Sequence, residues 1–280
     1  MREIHVNQVT RAVRDLVISA NLNLNKDIAC ALKCSREKET YAPAQELLEI
    51  LEKNAVIARE TAMPICQDTG MAVIFMEIGQ EVHFTGGSLE DAVNTGVSQG
   101  YTEGLLRKSV VRDPLDRVNT GDNTPAVLHV KLVPGDRVKI TAAPKGFGSE
   151  NMSRLKMLSP ADGVQGVMDF VVETVKLAGP NPCPPMVIGV GIGGTFEKAA
   201  QMAKEALLIP LDKPNPNPYY EQLECRLLEL VNKTGIGPQG FGGKTTALGL
   251  HILTYPTHIA GLPVAVNISC HVTRHGETVL

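Results

Sequence analysis

A run of apolar and glycine residues in the second half of the chain constrains the fold most strongly. The run reads MVIGVGIGG over residues 186–194, follows two prolines and precedes the amphipathic stretch TFEKAAQMAKEALL. A short apolar run bounded by turn residues is typical of a strand buried in a sheet. The glycines at its end predict a turn, and the stretch after them predicts a helix. The run therefore indicates a strand–turn–helix unit of an α/β fold.

The rest of the chain shows the same two patterns. Apolar residues recur at helical spacing through the first 60 residues, with Asn25 and Pro43 at the predicted starts of a second and a third helix. We therefore expect a single α/β domain over residues 1–280, in which N-terminal helices are followed by a mixed sheet with flanking helices. Later helices are predicted in SLEDAVNTGVSQGYTEGLL, SPADGVQGVMDFVVETVKLAG and NPYYEQLECRLLELVNKTG, and further strands in MAVIFMEIG, PAVLHVKLVPGDRVKITAAP, LGLHILTYP and LPVAVNISC.

The composition favours a soluble globular protein and excludes several other classes. Hydrophobic residues make up 43% of the chain and charged residues 20%, which is not the balance of a disordered, collagen-like or membrane-spanning protein. A net charge of −3 and an aromatic content of 4% give no general attraction to nucleic acid or lipid. The N-terminus lacks the apolar stretch of a signal peptide, so we expect a cytoplasmic protein with reduced cysteines.

Three cysteines lie in predicted loops, each beside a predicted strand. Cys66 lies in PICQDTG, Cys183 lies in NPCPPM, and Cys270 ends VAVNISC. They are far apart in sequence, unlike the paired cysteines of a local zinc site. Three thiolates from separate strand–loop junctions suit a [4Fe–4S] cluster with one iron left open as a Lewis acid. The alternative is that all three are small buried hydrophobic residues.

The other three cysteines lie in predicted helices. Cys30 and Cys34 are one helical turn apart, and Cys225 belongs to an amphipathic helix. We expect these cysteines to pack in the core, where the thiol behaves as a small hydrophobic group.

Two glycine-rich stretches suggest nucleotide binding. GVGIGG at 189–194 matches the G-x-G-x-x-G pattern, and Asp212 follows at about 20 residues, near the spacing of a ribose-binding acid. A dinucleotide-dependent oxidoreductase is therefore an alternative of another class. GIGPQGFGGKTT is rejected as a P-loop, because Pro238 stands where the first glycine is required. Close backbone packing at turns is the other explanation of both stretches.

Several polar residues near these motifs are candidates for chemistry. Gln67 and Asp68 directly follow Cys66, and a carboxylate beside a metal ligand can handle a proton or orient bound water. Asp-Thr-Gly also suits an Asx turn. KGFGSEN at 145–151 can present backbone N–H groups to an anion. His258, in a loop before Cys270, is either structural or functional.

Taken together, the motifs resemble the alpha subunit of class I, iron–sulfur-dependent fumarate hydratases and of the related tartrate dehydratases. KGFGSEN departs slightly from the family pattern, with Phe147 where glycine is common, and the motifs look more like those of fumarase than of tartrate dehydratase. The resemblance covers most of the chain and rests on ICQDTG, NTGDNTP, KGFGSEN, NPCPP followed by VIGVGIGGTFEKAA, GIGPQGFGG, and PTHIAG with LPVAVNISC.

The resemblance implies a cofactor. Cys66, Cys183 and Cys270 fall where the family has the three ligands of its [4Fe–4S] cluster. The open iron of that cluster would bind the hydroxyl and one carboxylate oxygen of the substrate and make hydroxide a better leaving group.

The resemblance also implies substrate-binding and catalytic residues. Gln67 and Asp68 match a pair that faces the substrate, with Asp68 as a catalytic candidate. Arg107, in GLLRKS, matches the arginine that holds a substrate carboxylate. Gly148 matches a loop glycine whose backbone approaches the substrate. His258 matches a histidine that donates or accepts a proton at the leaving hydroxyl.

The implied activity is a hydro-lyase that hydrates fumarate to (S)-malate, with tartrate dehydration as the alternative. In the family, the base for the C3 proton comes from a second domain or a beta subunit. We therefore expect a hetero-oligomer with a fumarase beta subunit, a small dicarboxylate substrate, and no nucleic acid or membrane partner. The resemblance gives no role to Lys145, Lys244 and Arg274, which are possible helpers. A scaffold subunit without a cluster is a further alternative.

Overall fold

The computed structural model describes all residues, Met1–Leu280, and confirms an α/β fold that begins with helices and continues in mixed sheets with flanking helices. Its helices are α1 (Val6–Leu22), α2 (Lys26–Lys38), α3 (Ala42–Thr61), α4 (Leu89–Glu103), α5 (Phe147–Glu150), α6 (Gly163–Ala178), α7 (Phe196–Ala206) and α8 (Pro218–Asn232). Its strands are β1 (Arg2–His5), β2 (Met71–Gly79), β3 (Val82–Thr85), β4 (Val127–Val133), β5 (Val138–Lys145), β6 (Arg154–Leu158), β7 (Met186–Gly193), β8 (Ala247–Tyr255), β9 (Leu262–Ser269) and β10 (Gly276–Val279). None of the helices combines the length and apolar character that a membrane crossing requires.

Packing groups the residues into two compact units. The first unit comprises Met1–Leu24, Ala55–Phe147 and Arg274–Leu280, and the second comprises Asn25–Asn54 and Gly148–Thr273. Neither unit is one continuous stretch of sequence. No single cut in the chain therefore separates them.

Short polar side chains cap the first turn of two helices, whereas Asn25, at the predicted start of α2, makes no such side-chain bond. The Ser88 hydroxyl accepts the N–H of Asp91 at 3.3 Å at the start of α4. The Asn217 side chain accepts the N–H of Tyr219 at 3.0 Å at the start of α8. These bonds satisfy N–H groups that have no partner inside the helix.

The first unit is built on a four-stranded sheet in the order β10-β5-β2-β4. Strand β2 pairs parallel with β4 and antiparallel with β5. One face of this sheet forms an apolar core with α1 and α4, in which Val13, Ile74 and Val97 are fully buried. Helices α1 and α4 approach closely at Gly96, where an added Cβ would lie 2.6 Å from the carbonyl oxygen of Thr10.

Strand β1 corrects one expectation about the first 60 residues. Residues Arg2–His5 form a strand that pairs parallel with β3, whereas the whole N-terminal region was predicted as helix. The pairing joins segments that are far apart in sequence. Local periodicity does not report such contacts.

The second unit holds a four-stranded sheet in the order β6-β9-β7-β8. Strand β7 pairs parallel with β8 and antiparallel with β9. On one face, Ile188, Val190 and Ile268 pack with residues of α6 and α8. On the other face, Ala265 packs against α7. The apolar run of the sequence is thus a strand covered on both sides, as expected.

The GVGIGG motif is explained by the packing of α7 on β7. A Cβ on Gly189 would lie 2.0 Å from the carbonyl oxygen of Ala203, and a Cβ on Gly191 would lie 2.1 Å from that of Ala199. No side chain fits at either position. The glycines therefore let the helix approach the strand, which is the packing explanation of the motif.

A buried carboxylate joins the α2–α3 corner to the loop that precedes β8. Glu39 is 5% exposed, and its oxygens accept the N–H groups of Thr40 at 2.9 Å, Tyr41 at 3.0 Å and Lys244 at 2.7 Å. Burial raises the pKa of Glu39, but these backbone hydrogen bonds outweigh it, and the net pKa is lowered. Glu39 is therefore an ionised anchor of the second unit.

The close contact of α7 with β7 gives a stability prediction. Gly191→Ala places a methyl group against the backbone of α7, so we expect the free energy of unfolding to fall by about 1–3 kcal/mol, measured by urea denaturation. Gly261→Ala is the matched control, because its Cβ would find nothing closer than the carbonyl oxygen of His258 at 3.8 Å. Equal stability of the two variants would contradict the packing explanation.

Candidate active site

The turn after Cys66 belongs to the first unit and is held by the side chain of Asp68. One carboxylate oxygen accepts the N–H of Gly70 at 3.0 Å, and the other accepts the N–H of Phe147 at 2.8 Å. The first bond is the Asx turn that the Asp-Thr-Gly sequence favours. The second bond fixes the start of the KGFGSEN loop on the same carboxylate. Asp68 is half-buried, and Gln67 is exposed.

The carbonyl groups of this turn are also held by buried side chains. Arg274 Nη2 donates to the carbonyl oxygen of Asp68 at 2.6 Å. The Tyr101 hydroxyl lies 2.9 Å from the carbonyl oxygen of Thr69 and 2.8 Å from that of Gly70. Burial raises the pKa of Tyr101, so the hydroxyl keeps its proton as a donor. Nothing in the sequence around Arg274 or Tyr101 indicated this role.

The loop that carries Arg107 is fixed by Asn123 of the NTGDNTP motif. Asn123 is fully buried, and its side-chain oxygen accepts the N–H groups of Ser109 at 2.6 Å and Val110 at 3.2 Å. Thr69 Oγ1 donates to the carbonyl oxygen of Arg107 at 2.9 Å. Arg107 itself is exposed. The guanidinium group is therefore available to an anion, while the backbone beneath it is anchored to the Asp68 turn.

Two of the three possible helper cations lie in the first unit and are buried. Lys145 is 6% exposed, and Arg274 is 5% exposed. Arg274 contacts the Asp68 turn, and Nε of the same guanidinium is buried without a partner. Lys244 lies in the second unit, is exposed, and donates from Nζ to the carbonyl oxygen of Lys38. Arg274 is therefore directly linked to a predicted site residue, Asp68.

Cys183 and Cys270 of the second unit are joined through His271. The ring Nδ1 of His271 lies 3.0 Å from the carbonyl oxygen of Cys183, and its backbone N–H donates to the same oxygen at 3.4 Å. Cys183 has a φ of 53°, in the left-handed region. A non-glycine residue held there costs on the order of 1 kcal/mol or more. The structure thus brings two of the three predicted ligand loops together.

Gly148 and His258 lie elsewhere in the second unit. Gly148 is exposed, and a Cβ there would meet only the carbonyl oxygen of Asn181 at 3.8 Å. His258 is exposed, and its Nδ1 accepts the N–H of Ala260 at 3.2 Å. Neutral His258 therefore carries its proton on Nε2. No hydrogen bond joins His258 to Cys183 or Cys270.

The structure contradicts one expectation about the cysteines. Cys30, Cys34 and Cys225, which were predicted to pack in the core, are all exposed. On α2 the buried residues are Ile28 and Leu32. Cys30 and Cys34 each follow one of these by two positions, and residues two apart point to opposite sides of a helix. Helical spacing was correct there, but the wrong face was assigned to the core.

The alternative that the three loop cysteines are buried is also wrong. Cys66 and Cys270 are half-buried, Cys183 is exposed, and none of the six cysteines forms a disulfide. No group of three or more Cys, His, Asp or Glu side chains is arranged as a ready metal site. Each of the three thiols nevertheless lies on an accessible loop, Cys66 in the first unit and Cys183 and Cys270 in the second, and thiolates are the ligands of iron–sulfur clusters. The donor chemistry fits such a cluster.

Comparison with known proteins identifies the family. A family model described as fumarate hydratase (fumerase) matches residues 10–279. A protein of Methanocaldococcus jannaschii named "Putative L(+)-tartrate dehydratase subunit alpha" is 39% identical over 273 residues, which cover 95% of each chain. The L(+)-tartrate dehydratase subunit alpha of Escherichia coli UTI89 is 32% identical over 275 residues, which cover 97% of this chain and 90% of that protein. The chain therefore belongs to the hydro-lyase family of fumarate hydratases and tartrate dehydratase alpha subunits.

Proposed function

We propose that this chain is the alpha subunit of an iron–sulfur hydro-lyase that interconverts fumarate and (S)-malate. The observation that carries the proposal is the family match over residues 10–279, within which three cysteines lie on accessible loops. Reversible hydration needs a group that binds the hydroxyl oxygen, a cation that holds a carboxylate, and groups that move protons. The chain offers candidates for each of these tasks.

Cys66, Cys183 and Cys270 are the residues that would hold a [4Fe–4S] cluster. With three protein ligands, such a cluster supplies an open iron that acts as a Lewis acid on the substrate oxygen. The thiols of Cys30, Cys34 and Cys225 are exposed on helices. They form a comparison set for the ligand assignment within the same chain.

Arg107 would hold one substrate carboxylate. Its guanidinium group is exposed, and its backbone is anchored by the Thr69 hydroxyl at 2.9 Å. A planar guanidinium group binds a carboxylate through two parallel charge-assisted hydrogen bonds. Gln67 and the backbone of Gly148, both exposed, would complete the polar contacts to the substrate.

Asp68 and His258 would handle protons at the substrate oxygen. Both carboxylate oxygens of Asp68 accept backbone N–H groups, which fixes the orientation of the carboxylate and leaves lone pairs for a further donor. His258 presents an Nε2–H at the surface in its neutral form. In this neutral form the ring donates a hydrogen bond to the substrate oxygen, and only the imidazolium form would transfer a proton to a leaving hydroxyl group.

L(+)-tartrate is the second candidate substrate. It is favoured by the names of the two relatives described above, both of which are tartrate dehydratase alpha subunits. Tartrate and malate are both C4 hydroxy-dicarboxylates, so Arg107 and an open iron would serve either one. The two activities differ in the group at C3.

We also propose a beta subunit as partner. The relatives are named as alpha subunits, and the residues assigned here include no base for the C3 proton. A second subunit would supply that base and the charge that holds the other carboxylate. The active enzyme would then be a hetero-oligomer of the two subunits.

The substrate and the partner are tested in one reconstitution. We expect the chain, loaded anaerobically with ferrous iron and sulfide, to show negligible hydration of fumarate alone and to gain activity with its beta subunit. Malate and L(+)-tartrate are assayed in parallel. Turnover by the chain alone at on the order of 10 per second would contradict the need for a partner, and faster turnover of tartrate would assign that substrate instead.

The cluster ligands are tested by iron analysis of six single variants. Serine is a poor substitute for a thiolate ligand, so Cys66→Ser, Cys183→Ser and Cys270→Ser should each lose cluster iron and sulfide. The matched controls Cys30→Ser, Cys34→Ser and Cys225→Ser should retain both, with unchanged thermal stability, because these side chains are exposed. Retention of iron in Cys270→Ser together with loss in Cys225→Ser would overturn the assignment.

The role of Arg107 is tested by Arg107→Lys. Lysine keeps the charge but cannot form the paired hydrogen bonds, so we expect KM for the dicarboxylate to rise about 10-fold or more. The absorption spectrum of the cluster should not change. Arg112→Lys, an exposed arginine of the same loop, is the control. An unaltered KM would remove Arg107 from the site.

A further inference from the structure

We infer that Gln239 is a positioning residue for the Cys183 thiolate. The inference rests on the proposed function in one respect, namely that Cys183 holds iron. Gln239 lies in the GIGPQGFGGK loop, which does not match a P-loop and has no task in the fold or the proposed reaction described above. All residues involved belong to the second unit.

Gln239 gives two hydrogen bonds to the carbonyl group that follows Cys183. Its backbone N–H donates to the carbonyl oxygen of Pro184 at 2.8 Å, and its side-chain Nε2 donates to the same oxygen at 2.7 Å. His271 contacts the carbonyl oxygen of Cys183 in the same double manner. Two consecutive carbonyl groups are thus each held by two nitrogen atoms of a single residue.

These bonds fix the backbone on both sides of the Cys183 side chain. The N–H of Cys183 donates to the carbonyl oxygen of Pro180 at 3.0 Å. With its own carbonyl group and the next one also held, Cys183 is restrained in its left-handed conformation. This arrangement sets the direction of the Cα–Cβ bond and so limits the thiol to the positions that rotation about that bond allows.

The backbone conformation sets Gln239 apart from the rest of its loop. Gln239 has a φ of 53°, where glycine would be the least strained residue. The other left-handed positions of the loop are all glycine: Gly235, Gly237, Gly240, Gly242 and Gly243. Position 239 alone retains a side chain in that conformation, and that side chain reaches the segment of Cys183.

The loop is itself anchored, so it can hold another segment in place. The Glu39 carboxylate accepts the N–H of Lys244 at 2.7 Å at one end of the loop. In the middle, Gly240 packs so closely that a Cβ would lie 2.4 Å from Cβ of Pro180. Gln239 therefore acts from a rigid support, as expected for a residue that orients a metal ligand.

The experiment compares Gln239→Gly and Gln239→Glu with the wild-type chain. Gln239→Gly keeps the backbone bond and relieves the left-handed strain, but removes the side-chain donor. Gln239→Glu keeps the shape and replaces the donor with an acceptor. Phe241→Ala is the matched control, because this exposed side chain of the same loop makes no polar contact with the Cys183 segment. Each chain is loaded anaerobically with ferrous iron and sulfide.

The expected result is a change in iron retention without a matching loss of stability. Loss of an outer hydrogen-bond partner typically weakens metal binding ~10–100-fold, so both Gln239 variants should lose iron to a chelator faster, with an altered electron paramagnetic resonance spectrum. Phe241→Ala should match the wild type. Wild-type iron retention and spectrum in both Gln239 variants, or an effect confined to the unfolding temperature, would overturn the inference.

A second readout needs no iron and separates this inference from the proposed function. In the apo chain, alkylation by iodoacetamide, followed by mass spectrometry, should modify Cys183 faster in Gln239→Gly, because its segment opens more often. Cys225 should react at an unchanged rate. Equal Cys183 rates overturn the positioning role. Failure of the wild-type chain to hold iron would instead contradict the proposed function, and the alkylation rates would still decide the role of Gln239.

Discussion

The candidate site depends on hydrogen bonds from single side chains to the backbone of the cysteine-bearing loops. A loop cannot pair its carbonyl groups within a sheet or helix, and a buried carbonyl without a partner is costly. In the first unit, Arg274 and Tyr101 hold the carbonyl groups of the turn that follows Cys66. In the second unit, Gln239 and His271 do the same beside Cys183. Side-chain hydrogen bonds to loop carbonyl groups thus occur beside two of the three predicted ligands, Cys66 and Cys183.

Much of the fold was predictable because its signals are local. The helical spacing of Val9 and Val13 and the apolar run of β7 each indicate a structure that forms within a few residues of the pattern itself. The positions of the loop cysteines beside strands were predicted for the same reason. Strands that depend on distant partners were missed, as the pairing of β1 with β3 and of β10 with β5 illustrates.

The supporting residues of the site could not be predicted from the sequence. Arg274 lies far from Asp68 in the chain, and Tyr101 occupies an ordinary position on an amphipathic helix. Their function depends on which loop the fold places beside them. The exposed cysteines of α2 and α8 show a related difficulty. Helical periodicity shows which residues share one face of a helix, but it does not show which face is buried against the core. Gln239 could not be singled out either, because its left-handed backbone conformation is not visible in GIGPQGFGGK.

The ionised state of Glu39 couples the loop around Gln239 to protons in solution. Because the pKa of Glu39 is lowered in the folded chain, its contribution to stability is fully present above the pKa of the unfolded carboxyl group. That contribution declines progressively below the unfolded pKa and is gone once the pH has fallen through the lower pKa of the folded state. At any pH above the pKa of folded Glu39, most of the carboxylate stays charged. It then keeps its hydrogen bonds to the backbone N–H groups of Tyr41 and Lys244. Stronger acid would protonate the carboxylate and weaken this support of the loop.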